Sequence, residues 1–233
     1  MKHFKLFCLA ILAFTTMSVT AQTADEVINK HIEAQGGKEK LASLKTVKMN
    51  GNMSVQGTDV AITMTKSHLT GMRVDMEIMG TSNYQLGNTK KGWVFMPVMG
   101  MAEPTEMDED QLKSFNSQMD IQGALLNYKE KGSTVELDGS EKVDGNDAYK
   151  LKVTNKNGKV STYFIDKVTS RLLKTSGKAN VQGQEMEVET SYADYKQNAD
   201  GFWFAYSITN MQGTITFDKI ESNIPVDEKI YTN

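Results

Sequence analysis

Few side chains in this 233-residue chain could do chemistry. Beyond His3 there are two histidines, His31 and His68, and one cysteine, Cys8. A zinc or acid–base site needs partners that converge on such rings. The chain has no H-E-x-x-H and no G-x-S-x-G, and Gly36-Gly37-Lys38 lacks the spacer and preceding glycine of a phosphate loop. Thioethers can hold copper(I), but Met99-Gly100-Met101 stands alone, without an M-x-M repeat and its histidines. No catalytic constellation, metal site or cofactor is expected.

Methionine is the residue type in excess. Setting aside Met1 and Met17, 13 of the 15 remain, and 11 of them fall between Met49 and Met119. Unbranched and polarizable, methionine suits a surface that must fit chains of varying shape. Met49, Met53, Met64 and Met76, with Phe115 and Met119 further on, are candidates to line an apolar cavity. The same pattern also suits the ordinary core of a sheet with one dry face. Met96-Pro97-Val98-Met99-Gly100-Met101 is too rich in Pro and Gly for a long strand. Its Met96, Val98, Met99 and Met101 form either a loop at a cavity mouth or a plug beneath a helix.

The elements that would position these residues follow from periodicity. Thr23 to Gln35 reads as a helix, with Thr23 and Glu26 as a capping box and Val27, Ile28 and Ile32 on one face. Lys38 to Leu44 adds a shorter helical turn. From Val47 the period is two: Val47, Met49, Met53 and Val55 share one parity, and Lys48, Asn50, Asn52 and Ser54 the other. Similar alternation recurs at Val60-Ile62-Met64, Val74-Met76-Ile78, Tyr149-Leu151-Val153, Met186-Val188-Tyr192 and Phe202-Phe204-Tyr206-Ile208. Gly- and Asn-bearing turns separate about eleven such strands. One-sided alternation marks an antiparallel sheet with one dry face. Met107 to Lys129 interrupts it with acids at 108–110 and apolar Leu112, Phe115 and Met119 at helical spacing, then Leu125, Leu126 and Tyr128 as a second segment. The fold class is mainly β (α+β), with the N-terminal helix and this mid-chain helical lid over the dry face.

The first 21 residues read as a cleavable signal: Lys2 and Lys5, the apolar run Leu6–Phe14, then Val19-Thr20-Ala21. Cleavage removes Cys8, so the mature chain offers no thiol for a disulfide, zinc site or nucleophile. It also removes two lysines and no acid, taking the net charge from −3 to −5. A mildly acidic chain with scattered charges is a poor nucleic-acid binder. Residues 22–233 are expected to form a single domain with no membrane span, exported to the periplasm.

The order of parts resembles the LolA/LolB lipoprotein-localisation family, in its outer-membrane lipoprotein-sorting form found in Bacteroidetes. The resemblance is carried by Ala24-Asp25-Glu26-Val27-Ile28 to Gln35-Gly36-Gly37, by Gly92-Trp93-Val94-Phe95-Met96-Pro97 and by Tyr128-Lys129-Glu130-Lys131-Gly132. Tyr163-Phe164-Ile165-Asp166, Tyr192-Ala193-Asp194-Tyr195-Lys196 and Ile220-Glu221-Ser222-Asn223 extend it over nearly the whole mature chain. Two departures are Phe204-Ala205-Tyr206, where the family usually has a proline, and the ending Ile230-Tyr231-Thr232-Asn233 in place of aromatic-x-Pro. The resemblance implies a half-barrel whose apolar cavity holds acyl chains, without cofactor or catalysis. It also implies that Arg73 ties the lid to the sheet, whereas alternation puts Arg73 with Asp75 and Glu77 on the wet face.

The expected function is that of a periplasmic carrier or holder of acylated molecules, linked to outer-membrane lipoprotein sorting. Its partners would be acyl chains of lipoproteins or envelope lipids, and an inner- or outer-membrane protein, with the carrier itself a monomer. The alternative is an envelope sensor or docking module that binds a protein through the curved sheet or the apolar loop. A sheet domain with a filled interior comes third, and an enzyme last.

Overall fold

A computed structural model describes residues 22–55, 57–181 and 184–233. The signal read at 1–21 lies outside the described residues. Helix α1 (Ala24–Ala34) opens with the expected capping box: the Glu26 amide donates to Thr23 Oγ1 at 3.3 Å, and the Thr23 amide to the Glu26 carboxylate at 3.0 Å. Helix α2 (Lys38–Ala42) follows and leads into the sheet.

Strands β1 (Thr46–Val55), β2 (Thr58–Ser67), β3 (Gly71–Ile78), β4 (Thr81–Asn88), β5 (Gly92–Phe95) and β6 (Thr105–Glu106) form a meander. Helix α3 (Glu109–Asn116) then interrupts it. A second meander follows with β7 (Thr134–Val143), β8 (Asn146–Thr154), β9 (Val160–Asp166), β10 (Leu172–Val181), β11 (Gln184–Gln197), β12 (Trp203–Asn210) and β13 (Gly213–Ser222). The two join where β13 pairs with β1, giving one open, curved antiparallel sheet of 13 strands, a half-barrel. That is two more than the alternation suggested, and one of the 13, β6, is only two residues long.

Alternation sets which face is dry, and antiparallel register aligns the apolar residues into rows across the sheet. Ile215, Met53, Val60 and Ile78 make one row, Phe217, Gly51, Ile62 and Met76 the next, and Ile220, Met49, Met64 and Val74 a third. These rows form the central core. A second core gathers Val27, Ile28 and Ile32 of α1 with Leu125, Leu126 and Tyr128 over Leu151, Val153 and Ile165. Burying each such aliphatic side chain is worth about 1.5–3 kcal/mol, so α1 is held by packing more than by its own helical propensity.

The mid-chain segment differs from the two-helix reading. Only Glu109–Asn116 is helical, capped by Asp108, whose carboxylate accepts from the Gln111 amide at 2.8 Å. Residues 117–133 are a string of turns. Gly123 and Asn127 adopt φ of 88° and 52°, which a right-handed helix cannot contain, so Leu125 and Leu126 enter the α1 core from turns.

Candidate ligand-binding site

Because every neighbouring pair of strands is antiparallel, the connections alternate between the two ends of the sheet. One end carries the turns at 79–80, 155–159 and 211–212 and the 3₁₀ turn Pro97–Met99. Of the eight exposed large apolar side chains among the described residues, six lie here: Met79, Val98, Met99, Val160, Met186 and Met211. Met79 and Met99 are 81% and 79% exposed. The loop singled out in the sequence therefore has Val98 and Met99 at its tip, while Met96 and Met101 are half-buried.

The opposite end is where the helices are anchored. Lys40 of α2 donates to the Asp200 carbonyl at 2.6 Å, and its ammonium lies 4.1 Å from the centre of the Phe202 ring. His31 of α1 is buried, with Nδ1 2.9 Å from the Ser170 carbonyl and Nε2 2.8 Å from the Gln35 amide nitrogen. Burial is the main reason its pKa is lowered. Gln122 donates to the Ala42 and Leu44 carbonyls at 3.1 and 3.0 Å, and the Leu69 amide to the Met119 carbonyl at 3.1 Å. These contacts fasten the 117–128 turns to the closed end.

Helix α3 docks beside a glycine pair. Gly87 and Gly92 face each other across β4 and β5, and a β-carbon on Gly92 would fall 2.6 Å from Met107 Sδ. The missing side chains let Met107 and Phe115 close over Met72 and Met119. Phe115 and Met119 are only 4% and 1% exposed, and Met49 is 9%. These three candidate lining residues are thus enclosed core, whereas Met53, Met64 and Met76 are half-buried on the inner face.

That inner face is not wholly apolar. Row by row, Ser222, Val47, Lys66, Met72 and Gly87 share the last register before the closed end. Lys66 therefore points to the dry side, and burial pushes its ammonium pKa down to about 8. Its hydrogen-bond partner is the Gln118 carbonyl at 3.3 Å. Nearby in the chain, Asp120 pairs with Lys131 at 2.6 Å, and His68 Nδ1 stands 3.7 Å from the Asp120 carboxylate. Tyr163, on the inner parity of β9, has its phenol pushed up to about 12 by burial, with Tyr192 and Asp120 acting in the same direction. The alternation Val60-Ile62-Met64 already assigned residue 66 to the dry face; reading on by one step would have found this lysine.

Two hollows stand out. One, of about 120 Å³, lies between β9, β10 and β11 against Ser161, Tyr163, Gly177 and Val188. The other, of about 360 Å³, is a wedge beside Asn198, Asp200, Tyr206 and Ile220. Register pairs β12 with β13 only over Ser207–Asn210, and the wedge sits beside the stretch past that pairing. Neither hollow is lined by the methionine rows. Among the described residues no group of three or more His, Cys, Asp or Glu side chains is placed to hold a metal.

Arg73 belongs to the other face. It pairs with Asp75 at 2.7 Å, lies 5.1 Å from the Tyr84 ring centre and donates to the Ile230 carbonyl at 3.5 Å. Met72, the next residue back, is the one that faces α3. The strand's alternation thus turns Arg73 away from the lid, and its contacts tie down the C-terminal segment instead.

No family model and no curated protein matches the sequence. Solved structures match its fold. A LolA superfamily protein from Nitrosomonas europaea aligns over 91% of this chain and 99% of its own, with a TM-score of 0.55 at 15% identity. A DUF1329 family protein from Desulfovibrio piger aligns over 91% and 98%, with a TM-score of 0.57 at 11% identity. A domain from Vibrio parahaemolyticus described as an outer membrane lipoprotein-sorting protein aligns over 88% and 94%, at 0.52 and 16%. The half-barrel with its crossing helices is therefore the LolA-like fold.

Proposed function

We propose that this chain is a non-enzymatic carrier that holds acyl chains of lipoproteins or lipids against the inner face of its half-barrel. The observation that carries the reading is the contrast between the two ends. One end is sealed by α2, α3 and the 117–128 turns, and the other is ringed by projecting Met and Val side chains. Met53, Met64 and Met76 lie on the inner face along which an acyl chain would run, and their flexible side chains can swing aside as it enters. The rim around Met79, Val98 and Met99 is the mouth.

Energetics favour exchange with a membrane over tight retention. A buried acyl chain is worth about 0.8 kcal/mol per methylene against water, far more than the roughly 1 kcal/mol of a net hydrogen bond. Inside a bilayer that chain is already dry, so the carrier need only match the membrane, and movement of the lid would set release. We assign this work to the periplasm from the signal read in the sequence at 1–21, and to residues 22–233 as one domain. Lipoprotein sorting, the role for which the Vibrio domain is named, is the task we assign.

Mass spectrometry of the protein purified gently from its host tests this. Bound acylated species, and displacement of a fluorescent fatty acid by them, are expected. Protein that carries no lipid and takes up no fatty acid would overturn the reading.

A further inference from the structure

Lys66 is the only charged side chain on the inner face of β1–β5 and β13 among the described residues. An ammonium has three protons to donate, and the described partner of this one is a single neutral carbonyl, that of Gln118. The nearest carboxylate along that turn, Asp120, is already engaged by Lys131. Among the described residues Lys66 stands in no ion pair, although other lysines of the same sheet do, as Lys174 with Glu189 and Lys178 with Glu185. Along β2 the lysine is followed toward the mouth by Met64, Ile62 and Val60 on the same face. Charge thus sits at the sealed end of an apolar track, and the track leads to the rim.

We propose that Lys66 is the seat of an anionic head group, a carboxylate or a phosphate, so that the ligand is an anionic amphiphile entering head first with its tail along the methionine rows. This inference rests on the acyl-holding function above and adds the chemistry of the head. A negatively charged oxygen accepting from the ammonium makes a charge-assisted hydrogen bond, about twice as strong as a neutral one. Lys66 is half-buried on the inner face, so that attraction is less screened than between fully exposed groups. An ester of the same chain offers a neutral carbonyl, which Gln118 already provides. Burial lowers the ammonium pKa to about 8, which still leaves Lys66 charged at neutral pH.

The test compares palmitate, hexadecyl phosphate and methyl palmitate as competitors of a neutral fluorescent probe, N-phenyl-1-naphthylamine, on the purified protein. Tighter binding of at least one anion than of the ester, by tenfold or more, is expected. Preference for palmitate points to a free fatty acid, and preference for the alkyl phosphate to a phospholipid-type head. Lys66→Met keeps the apolar stem and should bring the anions to the level of the ester while leaving the ester unchanged; Lys66→Arg should keep the preference. Equal binding of acid, phosphate and ester by the native protein would overturn the head-group assignment and leave chain holding intact. So would a Lys66→Met protein that loses all three competitors together. If none of the three displaces the probe, chain holding fails and this inference with it.

Discussion

Tyr231 lies flat across Gly71 on the outer face of the sheet, and its hydroxyl meets Ser67 Oγ at 2.9 Å. A β-carbon at residue 71 would overlap the Tyr231 ring, so the contact exists because β3 begins with glycine. The ring is 1% exposed and anchors a short 3₁₀ turn, Glu228–Tyr231, which Arg73 also holds through the Ile230 carbonyl. Gly71→Ala should therefore destabilise the protein by about 1–3 kcal/mol through overpacking. Tyr231→Ala should cost about 3–5 kcal/mol by leaving a cavity, and Tyr231→Phe about 1 kcal/mol for the lost hydrogen bond. Urea midpoints would rank them; a neutral Tyr231→Ala would mean that the ring's packing on Gly71 adds nothing to stability.

His31 gives stability a pH dependence of known sign. With Nδ1 protonated and donating to the Ser170 carbonyl, Nε2 accepts from Gln35, and burial lowers the pKa below 6.5. Below that value the unfolded chain gains a proton that the folded chain refuses, so stability falls as pH drops from about 6.5 toward the folded pKa. The slope reaches about 1.4 kcal/mol per pH unit for each such group. Asp25 and Asp200, whose pKa values are lowered by hydrogen bonds, act in a separate window below about pH 4. The urea midpoint should decline between pH 7 and 5, and less steeply in His31→Gln. Part of the decline should remain, because the His68 pKa is also lowered by burial.

Asp120 and Lys131 hold the crossing turns in place. Their 2.6 Å contact is largely shielded, at 19% and 27% exposure, and Lys131 also donates to the Gly123 carbonyl at 2.8 Å. Such a pair falls between exposed bridges worth under about 1 kcal/mol and buried ones that cost 3–5 kcal/mol to break. Asp120→Asn should thus cost about 2 kcal/mol, with faster proteolysis within 117–128 as its local mark. Cleavage elsewhere first would show that the pair is not what fastens this segment.

Much of this architecture could be read locally. The capping box of α1 needs only Thr23 and Glu26, and a strand's dry face needs only the parity of neighbours such as Val60, Ile62 and Met64. Contacts between distant residues were not legible in that way. Nothing near Gly71 announces Tyr231, and the Gly87–Gly92 platform for Met107 exists only once β4 and β5 pair. Leu125 and Leu126 read as a second segment of the helical lid, yet the glycine at 123 and the left-handed Asn127 set their path. At Arg73 resemblance and alternation disagree, and its contacts with Asp75 and Ile230 follow the alternation. Lys66 was legible by parity, but its isolation depends on where residues 118–131 run.

On the proposed function, the rim is expected to act on the rate of loading rather than on affinity. Met79 and Met99 project from separate connections at the same end of the sheet, with the 3₁₀ turn touching β4 where the Val98 amide donates to Asn83 Oδ1 at 3.2 Å. Single apolar side chains on separate turns suit a fluid surface, since a bilayer needs no shape match. Each methionine that reaches the acyl region would contribute up to about 1.5–3 kcal/mol. The double substitution Met79→Ser with Met99→Ser should leave fatty-acid affinity in solution within about twofold, because neither side chain belongs to the inner rows. Uptake of labelled fatty acid from vesicles should slow by roughly tenfold or more as membrane contact weakens. Stopped-flow transfer at several vesicle concentrations separates the two effects: a rate that depends on vesicle concentration reports collision. An unchanged transfer rate would remove the rim from the loading step and leave diffusion through water as the route.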